Sequence, residues 1–297
     1  MTASTLFDQH LGHIEAGESL PAETIRELVS SPDILPLGML ADAFRRRLHG
    51  LKTTYLRVAF CPFDASFSDA VPVAAREVRI DGHPPSFDVA LSSVQAARAV
   101  AGERRVCGLS WGDVVRYSDD GMGVARVLRE LRQTGLDGLA ELPLDGIDDP
   151  DQVIGPLRQA GFEHVRLTVD KLAAAQRTES FLRAANWQRR FGGIAAVNPL
   201  PMAIAAFRPT TGYEDVKMVA IARLAMPDVP HIQVDWQRYG PKLAQVALTF
   251  GADDVDGVSA SEEAPEGRRR APLEEIRRNI QAAGFDATER DGRFRVV

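Results

Sequence analysis

Along this chain the apolar positions switch between two periods. Residues 229–236 alternate, with His231, Gln233 and Asp235 on one face and Ile232, Val234 and Trp236 on the other; this is the period of a strand. Gly240-Pro241 then reads as a helix start, since proline suits a first turn whose N–H has no partner. Leu243, Val246, Ala247 and Phe250 follow at helical spacing, Gly251 supplies the stop, and residues 255–259 read as a second strand. A strand, a helix and a strand in this order imply parallel pairing.

The same alternation runs through most of the chain. Strands are predicted over residues 53–60, 77–81, 104–110, 136–142, 164–169 and 194–197, ahead of the two above. Helical stripes are predicted over 87–101, 122–133, 151–160, 177–191 and 214–225. Two helices, 20–30 and 35–48, precede the first strand; the second ends in Arg45, Arg46 and Arg47, which complement a helix C-terminus. A last helix over 273–283 is followed by RDGRFRV, 290–296, read as a short edge strand or tail. The expected fold is α/β, a (β/α)8-like TIM-type barrel. The connection 61–75 is short for a full helix, so closure is expected to be incomplete or deformed near strands 1 and 2. The division expected is 1–50, an N-terminal helical segment; 51–263, the barrel; and 264–297, a linker, helix and tail.

Composition narrows the function. A formal charge of −6 over 297 residues argues against a nucleic-acid surface. The basic run Arg268–Arg270 lies in a polar loop and reads as solvated. No apolar run is long enough to span a bilayer, and the first residues lack a secretory pattern, so no membrane association and a cytoplasmic location are expected. The two cysteines, Cys61 and Cys107, form no CxxC and cannot complete a structural zinc site or a fully cysteine-bound cluster. They suggest a reducing compartment.

In a barrel the site lies at the C-terminal ends of the strands. The residues predicted there are Asp64, His83, Ser110, Trp111, Glu141, Asp170, Asn198, Trp236, Ser259, Glu262 and Glu263. Strands covered by helices turn their polar face inward, which places His164, Arg166, Thr168 and Asp170, and His231, Gln233 and Asp235, toward the bore. Such an interior must either hold a polar ligand or satisfy itself, here through a network of Arg166, Asp170, His231 and Asp235. The ligand-binding set expected is Arg166, Asp170, Asn198, His231, Gln233, Asp235, Trp236 and Ser259. Acid–base candidates are His83, His231, Glu262 and Glu263. Asp253-Asp254 falls at the opposite end and reads as a cap or turn.

Four blocks near the C-terminus, PHIQVDW, GPKLAQVAL, GADD and SEE, carry a resemblance. In order and spacing they resemble a set of radical SAM enzymes: aminofutalosine synthase and dehypoxanthine futalosine cyclase of menaquinone biosynthesis, and the deazaflavin (FO) synthase. The N-terminal block IEAGESLPAETIRELVSSPDILPLGMLADAFRRRLHG resembles their first helices. The resemblance implies a loop after the first strand bearing CxxxCxxC, whose thiolates hold a 4Fe-4S cluster that binds S-adenosylmethionine. Here the loop reads FCPFDASFSDAVP, with Cys61 alone beside Asp64, Ser66, Ser68 and Asp69. Hard oxygen ligands do not replace soft thiolates on such a cluster. The Gly-Gly and His-Pro of the family's cofactor loop remain only as Gly82, His83 and Pro84, with Asp81 in place of the first glycine. No cluster, no S-adenosylmethionine and no metal are therefore expected. The resemblance then implies a pseudoenzyme of the futalosine pathway, a ligand-binding or partner subunit. Its partners would be a complete family member or pathway enzyme and a nucleoside-like small molecule. The other expectation is a repurposed non-redox enzyme acting through acid–base residues.

Overall fold

Strand β1 (Lys52–Pro62) shows how the barrel is assembled. Alternate side chains leave opposite faces of a strand. Thr54 reaches Asp254 inside the bore and Phe60 lines the cavity above it, whereas Tyr55, Ala59 and Cys61 join the apolar core beneath the helices. The computed structural model describes residues 3–67, 71–119, 121–171, 176–202, 212–261 and 270–297.

Seven further strands complete the ring: β2 (Glu77–Asp81), β3 (Arg105–Ser110), β4 (Gly138–Glu141), β5 (Val165–Val169), β6 (Ile194–Pro201), β7 (His231–Asp235) and β8 (Asp254–Ser259). They are parallel and ordered β4-β3-β2-β1-β8-β7-β6-β5, a TIM-type barrel. β1 and β2 pair continuously from Val58↔Glu77 to Pro62↔Asp81, so the ring is intact where the short connection suggested a defect. Its break lies between β4 and β5, which meet only through the bridge Pro143↔Thr168 and a 2.9 Å bond from Thr168 N to Leu142 O.

The helices alternate with the strands. α4 (Phe87–Ala101) follows β2, α5 (Trp111–Ser118) and α6 (Val124–Thr134) follow β3, and α7 (Ile154–Gln159) follows β4. α8 (Arg177–Phe191), α9 (Gly212–Ala225), α10 (Trp236–Leu248) and α11 (Leu273–Ala282) come after β5, β6, β7 and β8. Among the described residues no helix joins β1 to β2. Before the barrel, α1 (Ala3–Ala16), α2 (Ala22–Ser30) and α3 (Ile34–His49) form an N-terminal layer, with α3 packed on α1 and α9. No described helix is long and apolar enough to cross a membrane.

Three local departures matter for function. α10 begins at Trp236 rather than at Gly240, because the Asp235 carboxylate caps it by accepting Arg238 N at 3.0 Å. The kink comes at Gly240 (φ 73°, ψ 177°), a conformation essentially reserved to glycine, just before Pro241. α5 is absent from the elements predicted above; Ser110 and Asp113 start it as a reciprocal capping box. Last, β9 (Asp286–Glu289) pairs parallel with the first part of β1, from Lys52↔Asp286 to Tyr55↔Glu289, and leads the tail under the barrel. There the buried Arg290 forks onto Asp254 (2.5 and 2.7 Å) beneath the Phe294 ring at 4.1 Å. Thr54 and Gln233 also bond Asp254, at 2.5 and 2.8 Å. Asp254 is therefore a fully paired residue of the floor, not a turn residue.

Candidate functional site

Above that floor the inward residues form a second charged layer. The alternation of β2 sends Glu77 and Arg79 into the bore, β5 sends Arg166 and β8 sends Asp256. Arg79 bonds Glu77 (2.6 Å) and Asp256 (3.0 Å); Arg166 bonds the same two carboxylates at 3.2 and 3.3 Å. Burial by itself would raise the Asp256 and Glu77 carboxyls, but the guanidiniums hold Asp256 well below the usual carboxylate range and bring Glu77 below its ordinary value. Two buried polar atoms of this region, Glu77 Oε2 and Thr168 Oγ1, have no bonding partner among the described residues.

The layer is the base of a cavity of about 460 Å³ that opens at the C-terminal ends of the strands. Its walls carry Asp81, His83, Ser110, Glu141, Asn198, Gln233, Asp235 and Arg238. Burial, with Asp256 as neighbour, raises the Asp235 carboxyl above its ordinary value. Gly257 (φ 71°) lets the β8 backbone pass this carboxylate; a Cβ there would stand 3.0 Å from Asp235 Oδ1. Leu109, also in the wall, is a non-glycine residue at φ 60°, a strained conformation of the kind that collects at binding sites. Arg238 ties the walls together through Met202 O (2.6 Å) and Glu141 (3.3 Å). At the rim His83 Nδ1 is 3.0 Å from Asp113 Oδ2, an oxygen that also accepts Ser110 N and Oγ, each at 2.8 Å. Burial would raise Asp113, but His83 and Ser110 bring it below its ordinary value.

The structure thus brings Arg166, Asn198, Gln233 and Asp235 to one cavity, with His83, Ser110 and Glu141. Other expected residues lie elsewhere. His231 shares the inward face of β7 but begins the strand, so it sits at the opposite end, stacked between Phe294 and His49. Asp170 lies beyond β5, half-exposed beside Lys171. Trp236 opens α10 and is buried in the core outside the bore. Ser259 bonds Ser261 N at 3.2 Å, Trp111 lines a neighbouring groove, and Asp64 is exposed on the loop after β1. Glu262 and Glu263, like Ser68, Asp69, Arg268 and Arg269, fall outside the described residues. The network of Arg166, Asp170, His231 and Asp235 does not form, since Arg166 is taken by Glu77 and Asp256. Glu77, Arg79, Asp256 and Arg238 were not singled out from sequence, although the alternations EVRID and DVD carry the first three.

The donors near β1 do not fit a cluster. Cys61 is buried on the outer face of its strand, and burial pushes its thiol up to about 11. Cys107, on β3, is fully buried and likewise pushed up to about 11. Three convergent thiolates cannot be drawn from two cysteines, one of which faces away from the cavity.

A parallel barrel of this order, with helices outside and its site over the strand ends, is a TIM-type (β/α)8 barrel. Methylornithine synthase superposes on it with a TM-score of 0.66 at 15% identity, over 95% of this chain and 97% of that one. Residues 202–296 match the family described as the CofH/MqnC C-terminal region. The chain is 27% identical to the 5-amino-6-(D-ribitylamino)uracil–L-tyrosine 4-hydroxyphenyl transferase of Archaeoglobus fulgidus, over 87% of this chain and 92% of that one. It is 26% identical to the aminodeoxyfutalosine synthase of Thermus thermophilus, over 95% and 93%. The chain is thus similar to these enzymes over most of its length and to that family over its last third, and its two cysteines are too few for a CxxxCxxC motif.

Proposed function

We propose that this protein serves the futalosine route of menaquinone biosynthesis as a ligand-binding or partner subunit that works without a cluster or S-adenosylmethionine. One observation carries the reading: the bore keeps a polar cavity of about 460 Å³ while the one cysteine near the cluster loop is turned into the core. A cavity walled by carboxylates, amides and an arginine suits a hydroxyl-rich, nucleoside-like molecule, which offers many donors and acceptors to a few fixed polar groups. The named relatives act on such molecules, which supports the choice of ligands to test.

The test is anaerobic purification with iron and sulfide analysis, then calorimetric titration with aminodeoxyfutalosine and 5-amino-6-(D-ribitylamino)uracil. Binding of one of them, weakened at least tenfold by Asn198→Ala, is expected without stoichiometric iron. In the partner form of the reading, a complete family member co-purifies with the tagged chain. Iron and sulfide at cluster stoichiometry sink both.

A second reading, a non-redox enzyme, draws on the His83–Asp113 pair at the rim and on the raised Asp235 carboxyl inside. It requires slow conversion of the bound ligand, abolished by His83→Ala with binding retained.

A further inference from the structure

At the end of the barrel opposite the cavity, three donor side chains converge. His49 is the last residue of α3, His231 the first of β7, and Asp253 directly precedes β8. One ligand atom from each lies within 4.8 Å of the others. Asp253 Oδ2 is 2.6 Å from His231 Nδ1 and 3.4 Å from His49 Nε2. The other carboxylate oxygen, Oδ1, is engaged by the buried Arg223 guanidinium and by Ile232 N at 2.8 Å. The carboxylate is thus held from behind and offers one oxygen to both rings. The rings are themselves fixed: His231 stacks on Phe294 at 4.7 Å between centroids and on His49 at 5.3 Å. The carbonyl of Pro230 accepts from His49 Nε2 at 2.9 Å and from Arg223 Nη1 at 3.3 Å.

We propose that His49, His231 and Asp253 form a binding site for a divalent transition metal of the zinc type. Two imidazoles and one carboxylate are the donor set that borderline cations prefer. The hydrogen bonds on the far oxygen are the support that ligating carboxylates receive in metal sites. The metal replaces two hydrogen bonds, His231 Nδ1 to Asp253 and His49 Nε2 to Pro230 O, and the neutral rings then carry their protons on His231 Nε2 and His49 Nδ1. The Arg223 guanidinium on the same carboxylate opposes a cation and weakens its binding. The bound ion clamps the N-terminal layer, through α3, to the floor of the barrel and to the tail that bears Phe294. This site is separate from the cavity and does not depend on the function proposed for it.

The experiment is titration of the metal-free protein with cobalt(II), read by visible absorption, and with zinc(II), read by thermal melting. Expected are one cobalt per chain with a ligand-field band, and a rise in Tm with zinc. His49→Gln should abolish the band and weaken zinc at least tenfold while the metal-free Tm stays near that of the parent, because the glutamine amide can still donate to Pro230 O. His231→Gln should act alike but also disturbs the Phe294 stack, so His49→Gln carries the decision. A Cys61→Ala, Cys107→Ala double variant should keep the band. Absence of a band, or binding of equal strength in His49→Gln, overturns the proposal.

Discussion

Asp235 stands in the cavity wall with two duties that pull against each other. Its carboxylate caps α10, and burial beside Asp256 raises its pKa above the ordinary 3.8. A carboxyl raised in the folded state contributes stability that is complete below the unfolded pKa and is lost as pH rises through the folded one. Asn caps a helix as well as Asp does and carries no charge. Asp235→Asn should therefore match or exceed the parent in urea melts at pH 7.5, with the advantage gone near pH 4. A loss of more than about 1 kcal/mol at pH 7.5, the usual size of a missing cap, would show that the charge is needed. The thiols give a second test at this scale. With both pushed up to about 11 by burial, neither Cys61 nor Cys107 should react with a disulfide reagent at pH 8 until the protein is unfolded. Rapid labelling of Cys61 in the native protein would place it at the surface. At this scale the sequence shows which face a polar residue takes but not how deep along the strand it lies. His231, Gln233 and Asp235 alternate correctly, yet they occupy the floor's underside, the floor and the mouth. Partner choice was hidden as well, because the two carboxylates that hold Arg166 come from β2 and β8, 89 and 90 residues away.

Elements with a full apolar stripe and a glycine stop were legible at once; α8 occupies the span expected of it. α10 was misplaced by four residues because a capping aspartate at a strand end looks, in sequence, like one more alternating strand position. The edge strand or tail expected at 290–296 missed β9, which lies just before it at Asp286–Glu289 and delivers Arg290 to the barrel floor. Arg290 is 0% exposed and its charge is met by Asp254, which is also fully buried. Removing one partner of such a pair leaves an uncompensated buried charge, which costs about 3–5 kcal/mol. Arg290→Ala should lose that much in denaturant melts. Adding Asp254→Asn should recover part of the loss, because the orphaned charge goes with it. Equal loss in the single and double variants would mean that Arg290 acts through its packing against Phe294 instead.

For the molecule as a whole, the barrel itself was visible in the alternation of periods, while the place where its ring is broken was not. The short connection drew attention to strands 1 and 2, yet β4 is only four residues long and meets β5 by a single bridge. Pairing is a matter of backbone register, which side-chain patterning does not report when both neighbours are buried. Local opening begins at the weakest hydrogen-bonded boundary. In native-state hydrogen exchange the Thr168 amide, bonded across the break to Leu142, should exchange earlier than the amides joining β1 to β8. The reverse order would show that the break is held as firmly as the rest.

A hoop closed all round has its bore dictated by strand number and stagger. This one is split, and what spans its width is a pair of guanidiniums: Arg166, from β5 at one lip of the split, reaches across to Glu77 on β2 and Asp256 on β8, where Arg79 meets the same two carboxylates. The gauge of the opening is consequently written in side chains rather than in the sheet. Exchanging a few of those charges would resize it without redesigning the backbone, a simple way for one scaffold to fit guests of different girth.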